Sequence, residues 1–377
     1  MKSLKYIQLL SVAFTGMLLS SCKKDFLNKP AQGTLSTTQV STLEGVQGLL
    51  TGAYAALDGQ AGTSTNSSNT AFGGGSAWEV APDNWIYGSI AGGDAHKGSS
   101  GSDQPAINTI ANFTVDPSNG FLNSKWKADY EGITRCNNVL AALPTISGIT
   151  DADKIEIQAE ARFLRGHYYF DLKKMFNNVP YVDETTINYI QPNTTDIWPK
   201  IEDDFTYAYT NLPGTQTQIG RVNKWAAASY LAKTYLYEKK YSAADPVFTA
   251  VITTGTNSGG VAYDLVANYE DNFTASTKNN KETIFAIQQV ANDGTNTIAN
   301  ANNGDMLNFP YNSPFRCCGF YQPTQDLVNS FRTDATTGLP NISSYNSAPV
   351  KNDMGILSSA AFTPETGTLD PRLDWFI

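Results

Sequence analysis

Two groups of aromatic residues stand beside side chains that can form hydrogen bonds with hydroxyl groups. The first group contains Trp78, Trp85 and Tyr87, next to Asp83 and Asn84. The second contains Tyr311, Phe315 and Tyr321, near Asn312 and Arg316. A flat aromatic ring can pack against the C–H face of a sugar, while amides, carboxylates and guanidinium groups bind the sugar hydroxyls. Both groups therefore predict a glycan site, unless their rings serve to hold long loops against the body of the protein.

From these groups we select eight residues as predicted ligand contacts. Five are aromatic, namely Trp78, Trp85, Tyr87, Tyr311 and Tyr321, and three are polar or charged, namely Asp83, Asn84 and Arg316. All eight lie in segments rich in Gly, Ser and Asn that are predicted to be loops. Loops carried by a rigid scaffold are where binding residues usually lie.

Other residue patterns that could do chemistry have simpler structural interpretations. Glu160-x-Arg162-x-x-Arg165 falls on a predicted helix among core positions, which favours ion pairs within or between helices over an acid/base site. His167 lies on the same helix and is predicted to be structural. His96 and His167 are the two histidines of the chain, and no Cys/His spacing suits zinc. The sequence predicts no catalytic residue, metal site or cofactor.

The first 21 residues are predicted to be a secretory signal peptide. Lys2 and Lys5 precede an apolar run that extends to Leu19, which is too short for a comfortable transmembrane helix. Leu19-Ser20-Ser21-Cys22 resembles the lipobox of bacterial lipoproteins, in which cleavage before the cysteine is followed by its acylation. Several acyl chains anchor a protein stably. Residues 22–40 are then a lipidated tether, and the lysine at position 23 favours the outer membrane over inner-membrane retention.

Charge and cysteine content limit the possible partners. Without residues 1–21 the chain has 24 basic and 35 acidic residues, a net charge of −11, which makes nucleic acid an unsuitable partner. Cys136 lies in a predicted helix. The adjacent Cys317 and Cys318 could form a vicinal disulfide or stay reduced.

Hydrophobic spacing predicts a mainly α fold over residues 41–377. A first helix contains Leu43, Val46, Leu50, Tyr54 and Leu57, with Ser41 or Thr42 as its cap. Residues 58–121 are predicted to be a long polar loop region. Further helices are predicted from Asn123 to Pro144, from Asp151 to Phe176 and from Ile197 to Leu212.

Two later helices have the spacing of a tetratricopeptide pair, in which small residues let antiparallel helices approach and large ones fill the gap to the next pair. The pattern residues are Ala228, Leu231, Ala232, Tyr235, Ala244, Phe248 and Val251. Pro246 predicts that the second helix of this pair starts late or kinks. A short strand is predicted at residues 283–290 and another long loop region at residues 292–322.

Several separated motifs resemble the SusD/RagB family of outer-membrane nutrient-binding lipoproteins. The motifs are Ser21-Cys22-Lys23-Lys24-Asp25-Phe26-Leu27; Trp126-x-x-x-Tyr130-x-x-Ile133-x-x-Cys136-Asn137-Asn138; Ala159-Glu160-Ala161-Arg162-Phe163-Leu164-Arg165-Gly166; Val179-Pro180; Pro323-Thr324-x-Asp326-Leu327; and Asp370-Pro371-Arg372-Leu373. Their order and their spread over the whole chain carry the resemblance.

The resemblance implies tetratricopeptide-like helix pairs with long loop insertions and minor β structure. It also implies an exterior-facing outer-membrane lipoprotein without catalytic residues, which captures a glycan or peptide and delivers it to a SusC-like TonB-dependent barrel. Members of the family normally continue through further helices beyond the position of Asp370, so the resemblance predicts a domain that is incomplete at its C-terminus.

Two alternatives remain open from the residues. A lipid-anchored surface glycoside hydrolase would require two carboxylates about 5–10 Å apart across a cleft, and no local pattern marks such a pair. A peptide- or protein-binding scaffold is the other alternative, because tetratricopeptide-like stacks commonly bind peptides.

Overall fold

The computed structural model describes residues 40–58, 85–290, 308–311, 314 and 318–376, and within them it confirms the mainly α fold with minor β structure. The α-helices are α1 (Leu43–Ala55), α2 (Pro105–Ala111), α3 (Gly120–Ala142), α4 (Asp151–Phe176), α5 (Trp198–Asn211), α6 (Lys224–Tyr237), α7 (Tyr241–Thr254), α8 (Gln325–Ser330) and α9 (Leu373–Phe376). A π-helix spans Trp85–Ile90, and strands β1 (Ala95–Lys97) and β2 (Tyr321–Pro323) pair antiparallel. The predicted signal peptide and the predicted tether, except for its last residue Val40, fall outside the described residues.

Side-chain caps define the starts of several helices. Thr42 accepts a hydrogen bond from the backbone N–H of Gly45, at 3.0 Å, and begins α1 as predicted. Thr150 caps α4 in the same way, and Asn223 caps α6. Each cap satisfies one of the N–H groups that a helix start leaves without an intrahelical partner. Local chemistry therefore fixes the starts of α1 and α4 close to their predicted positions.

The main core, which we call the helical body, is built from helices that pack on their neighbours in sequence. Helix α3 packs on α4, α4 on α5, α5 on α6 and α6 on α7, while α1 packs against α3 and α4. This arrangement agrees with the predicted stack of helix pairs. Its largest fully buried side chains include Phe163, Leu164, Tyr169 and Phe205.

Helix α7 does not start late at its proline. It begins at Tyr241 and contains Pro246 in its second turn. Proline cannot donate to the carbonyl of residue 242, four positions earlier. Both residues are exposed, so water can bind the carbonyl that the proline leaves free.

The prediction of a short strand at residues 283–290 was wrong. The segment runs without a paired strand among the described residues. Its Phe285 packs on the helical body, with its ring 5.3 Å from that of Phe163. Phe285 thus contacts helices and not a sheet, while Ile284, Ile287 and Val290 of the same segment are exposed.

The prediction of one long loop over residues 58–121 was also wrong for its described part. That part contains the π-helix, β1, α2 and the start of α3. Their apolar residues form a second core together with residues far along the chain: Trp85, Ile86, Tyr87, Ile90, Ala95, Ile107, Ile110, Phe121, Cys318 and Phe320. Cys318 is disulfide-bonded, whereas Cys136 is a buried free thiol in α3.

Candidate functional site

Pairing of β1 with β2 brings the two predicted aromatic groups together. Lys97 pairs with Tyr321 and Ala95 with Pro323. The N–H of Gly98 donates to the carbonyl of Phe320 at 2.7 Å. A Cβ atom at Gly98 would lie 2.0 Å from the carbonyl oxygen of Gly319, so this close approach requires glycine. Segments more than 200 residues apart in sequence therefore share one surface.

Trp85 and Tyr87, two of the predicted ligand contacts, lie in the second core and not in an exposed loop. Trp85 is 5% exposed and its ring centroid lies 6.5 Å from that of Phe320. Tyr87 is 6% exposed and its hydroxyl donates to the carbonyl of Phe121 at 3.0 Å. Because their rings are covered by neighbours, both residues support the surface from below instead of presenting a face to solvent.

Tyr311 and Tyr321 are exposed on that surface, and with their polar neighbours Ser89, Ser99 and Asp103 they form what we call the aromatic rim. Tyr311 is 62% exposed, and its hydroxyl lies 3.4 Å from Oγ of Ser99. Ser99 in turn donates to Asp103 at 3.1 Å. Tyr321 is 37% exposed and donates to Oγ of Ser89 at 3.0 Å. Its ring lies 6.4 Å from the buried Trp85, which helps to fix its position.

The rim therefore offers exposed rings next to hydroxyl and carboxylate groups, which is the combination that a sugar-binding surface requires. The remaining predicted site residues lie outside the described residues: Cys22, Trp78, Asp83, Asn84 and Arg316.

The charged motif of α4 forms interhelical ion pairs, as predicted. Nε of Arg162 lies 2.7 Å from Asp204 of α5, and Arg165 binds both oxygens of the same carboxylate at 2.8 Å. Glu160 accepts from the hydroxyl of Tyr54 at 2.6 Å and from Arg221 at 3.2 Å. The charges of these groups neutralise one another in ion pairs. The motif therefore links α4 to α1 and α5.

A second charged cluster lies between α3 and α4. Lys125 contacts Asp171 and lies 3.4 Å from Asp129, while Lys174 binds Asp171 at 2.7 Å. His167 packs edge-on against Tyr168, and burial lowers the pKa of its imidazole to about 4. The imidazole is therefore neutral at pH 7. In the described part of the chain, no group of three or more His, Cys, Asp or Glu residues could hold a metal ion.

The helical body also contains a pocket of about 270 Å³ that was not predicted from the sequence, which we call the body pocket. It lies where the end of α1 meets the loop before α6 and the extended segment around Phe285. Its lining includes Thr51, Leu57, Asp58, Gln218, Phe285 and Gln288. Asp58 is 8% exposed, and its Oδ1 is buried without a hydrogen-bond partner. In the sequence, the only sign of this pocket is Asp58, a charged residue directly after the apolar positions of α1, and this sign is weak.

Among the residues that the structure describes, none of the helices combines the length and the apolar character that crossing a bilayer demands.

Comparison with known proteins identifies relatives of the fold and of the sequence. A SusD-like protein of Bacteroides ovatus is 26% identical over 298 residues, which are 75% of this chain and 50% of that protein. The chain thus spans about half the length of this relative. A laminarin-binding SusD-like protein has a TM-score of 0.53 at 27% identity, over 65% of this chain and 51% of that one.

Surface glycan-binding protein A of Bacteroides thetaiotaomicron, solved in complex with laminarihexaose, has a TM-score of 0.61 at 22% identity, over 87% of this chain and 70% of that one. This likeness shows the fold. A family model described as SusD-like, starch-binding and associating with the outer membrane matches residues 25–236. The match covers more than half of the chain and agrees with the stacked helices described above, and on this basis the chain belongs to the SusD-like family.

Proposed function

We propose that this chain is a surface-exposed outer-membrane lipoprotein that binds an oligomeric glycan and delivers it to a SusC-like TonB-dependent transporter without catalysis. The observation that carries the proposal is the aromatic rim, where two exposed tyrosine rings lie beside hydroxyl and carboxylate groups. An exposed ring supplies apolar area at low entropic cost, and the polar neighbours select a hydroxylated ligand. The ligands of two structural relatives, laminarin and laminarihexaose, and the description of the family as starch-binding support this ligand class.

A binding role suits the rim better than glycoside hydrolysis. Hydrolysis of a glycosidic bond generally uses a pair of carboxylates that flank the bond. Of the five residues that define the rim, Asp103 supplies the one carboxylate, and it accepts a hydrogen bond from Ser99. The ion-paired carboxylates of α4 and α5 neutralise arginines within the helical body. The proposed lack of catalysis is checked by product analysis after prolonged incubation of the protein with a panel of glycans. Sustained turnover of a glycan would contradict it.

Membrane attachment through Cys22 and the barrel partner are further parts of the proposal. The lipobox-like Leu19-Ser20-Ser21-Cys22 supports the anchor, and the family description, which associates its members with the outer membrane, supports the location. Mass spectrometry of the mature protein from cell envelopes should find Cys22 acylated. Co-purification from solubilised outer membranes should recover a TonB-dependent barrel, and recovery of the chain alone would count against that partner.

The rim is tested by calorimetric titration of the full chain with laminarin- and starch-derived oligosaccharides. We expect Tyr311→Ala combined with Tyr321→Ala to weaken binding about 10- to 100-fold, since aromatic contacts contribute about 0.5–1.5 kcal/mol each beyond their buried area. Tyr189→Ala is the matched control, because Tyr189 is 74% exposed and lies outside the rim. Equal affinity of the double variant and the control would reject the rim as the site.

A further inference from the structure

The body pocket is separate from the aromatic rim. Its walls come from residues of the helical body, whereas the rim rests on the second core. With a volume of about 270 Å³ it is smaller than the roughly 300–1,000 Å³ typical of sites for drug-sized ligands. A ligand that fits this pocket would be about the size of one small ring with its substituents.

Asp58 is the one residue in the described lining of this pocket with a buried polar atom that lacks a hydrogen-bond partner. Its Oδ1 has no partner, and burial raises the pKa of its carboxyl to about 6. Arg221 also lines the pocket, but its guanidinium is engaged by Glu160, Gln47 and Gln218. A buried carboxylate oxygen without a partner is costly, so a ligand that donates a hydrogen bond to Oδ1 of Asp58 would recover part of that cost.

The other residues that line the body pocket indicate which kind of hydrogen-bond-donating ligand it could hold. Leu57 and Phe285 supply apolar surface and Gln218 supplies an amide. The Thr51 hydroxyl already donates to the carbonyl of Gln47, and the Gln288 amide is paired with that of Asn279. The amide oxygen of Gln218 accepts from Arg221 at 2.8 Å, which leaves the amide nitrogen available to donate. Apolar walls combined with one amide donor, Gln218, and one carboxylate acceptor, Asp58, match a pyranose ring, which has C–H faces and hydroxyls around its edge.

We propose that the body pocket is a second carbohydrate site, which binds a single neutral sugar unit through hydrogen bonds from its hydroxyls to Asp58 and through packing of its ring on Phe285. This inference deepens the proposed function, on which its choice of ligand class rests. The rim would hold an oligosaccharide by its exposed tyrosines, whereas the body pocket would recognise one unit at a time.

The test is a methyl NMR titration of the full chain, labelled at isoleucine and leucine methyl groups. Ile287 and Leu57 line the body pocket and report on it directly. Glucose, galactose and mannose are added separately, and ethanolamine serves as a small amine that could also pair with a carboxylate. We expect at least one hexose to shift both methyl signals in a saturable way.

Variants assign the shift to the pocket. Asp58→Leu should weaken the hexose affinity at least about tenfold, because a hydrogen bond to a charged acceptor is lost. Asp58→Asn should weaken it less, because the amide can still accept a hydrogen bond. Tyr311→Ala, which alters the rim, should leave the titration of Ile287 and Leu57 unchanged. The methyl spectrum of each variant without ligand verifies that it is folded.

Three results would overturn the inference: no methyl shift with any of the three hexoses, an undiminished shift in both Asp58 variants, or a shift with ethanolamine alone. Failure of the proposed function shows itself differently, as oligosaccharide binding that is indifferent to Tyr311 and Tyr321. The two outcomes are therefore distinguishable.

Discussion

Asp58 shows how one residue can lower stability while offering a binding group. Burial raises the pKa of its carboxyl to about 6, above the value of about 3.9 expected in an unfolded chain. At pH values between these two pKa values, the carboxyl of Asp58 is protonated in the folded protein and ionised in the unfolded chain. Stability contributed by this group is therefore present below pH 4 and is lost as the pH rises through 6.

At the residue scale we predict that Asp58→Asn stabilises the protein at pH 7 by about 1–3 kcal/mol, because the amide removes a buried charge without a partner. The two proteins should be nearly equal in stability at pH 4, where Asp58 is mostly protonated. Denaturant unfolding at both pH values measures the difference. Asp353→Asn, at an exposed position, is the matched control and should change stability by less than about 0.5 kcal/mol. A gain that does not depend on pH would contradict this account of Asp58.

At the scale of elements, close approach between α3 and α4 depends on Gly132. A Cβ atom there would lie 2.5 Å from Cζ of Tyr168. The ring of Tyr168 cannot easily move, because its hydroxyl donates to the carbonyl of Ala53 in α1 at 2.9 Å. One tyrosine of α4 thus links α1 to α3, and the space it occupies exists because residue 132 lacks a side chain.

Two glycine substitutions separate this packing effect from helix propensity. Gly132→Ala should destabilise the protein by about 1–3 kcal/mol through overpacking, although alanine favours the helix by up to about 1 kcal/mol. Gly48→Ala in α1 should stabilise it by about 0.5–1 kcal/mol, because the added Cβ meets no atom within 4 Å. Thermal and denaturant unfolding measure both changes. Equal shifts for the two variants would show that packing against Tyr168 does not limit position 132.

At the scale of the whole molecule, the described residues form two cores joined by α3. Phe121 at its start belongs to the second core, whereas Ile133 and Cys136 belong to the helical body. The second core is completed by Phe320, which is fully buried and reaches it through the β1–β2 pairing. The surface that carries the rim therefore depends on contacts between distant parts of the chain.

We predict that Phe320→Ala loosens the second core and leaves the helical body intact. Removing a buried phenylalanine costs about 3–5 kcal/mol. Hydrogen exchange should accelerate in residues 85–97 and 107–121, while amides of α4 to α6 keep their protection. Phe205→Ala, which empties a fully buried position of the helical body, should instead accelerate exchange in α4 to α6. Uniform acceleration by Phe320→Ala would mean that the two cores unfold as one unit.

Features that depend on local chemistry could be predicted from the sequence. Helix α4 was predicted from Asp151 to Phe176 and is observed with those bounds, because its cap at Thr150 and its apolar spacing are local signals. The ion pairing of Glu160, Arg162 and Arg165 followed from their positions among core residues, and the motifs were sufficient to indicate the family.

The exposure of the aromatic residues and the positions of the cavities depend instead on how the helices and loops pack together. Trp85 and Tyr321 belong to two similar loop patterns, yet one is buried and the other is on the surface. Their difference arises from a strand pairing across more than 200 residues, which no local pattern contains. The body pocket likewise exists because α1, the loop before α6 and the segment around Phe285 meet without filling the space between them. Burial and cavities are properties of contacts between distant segments, so spacing along one segment cannot specify them.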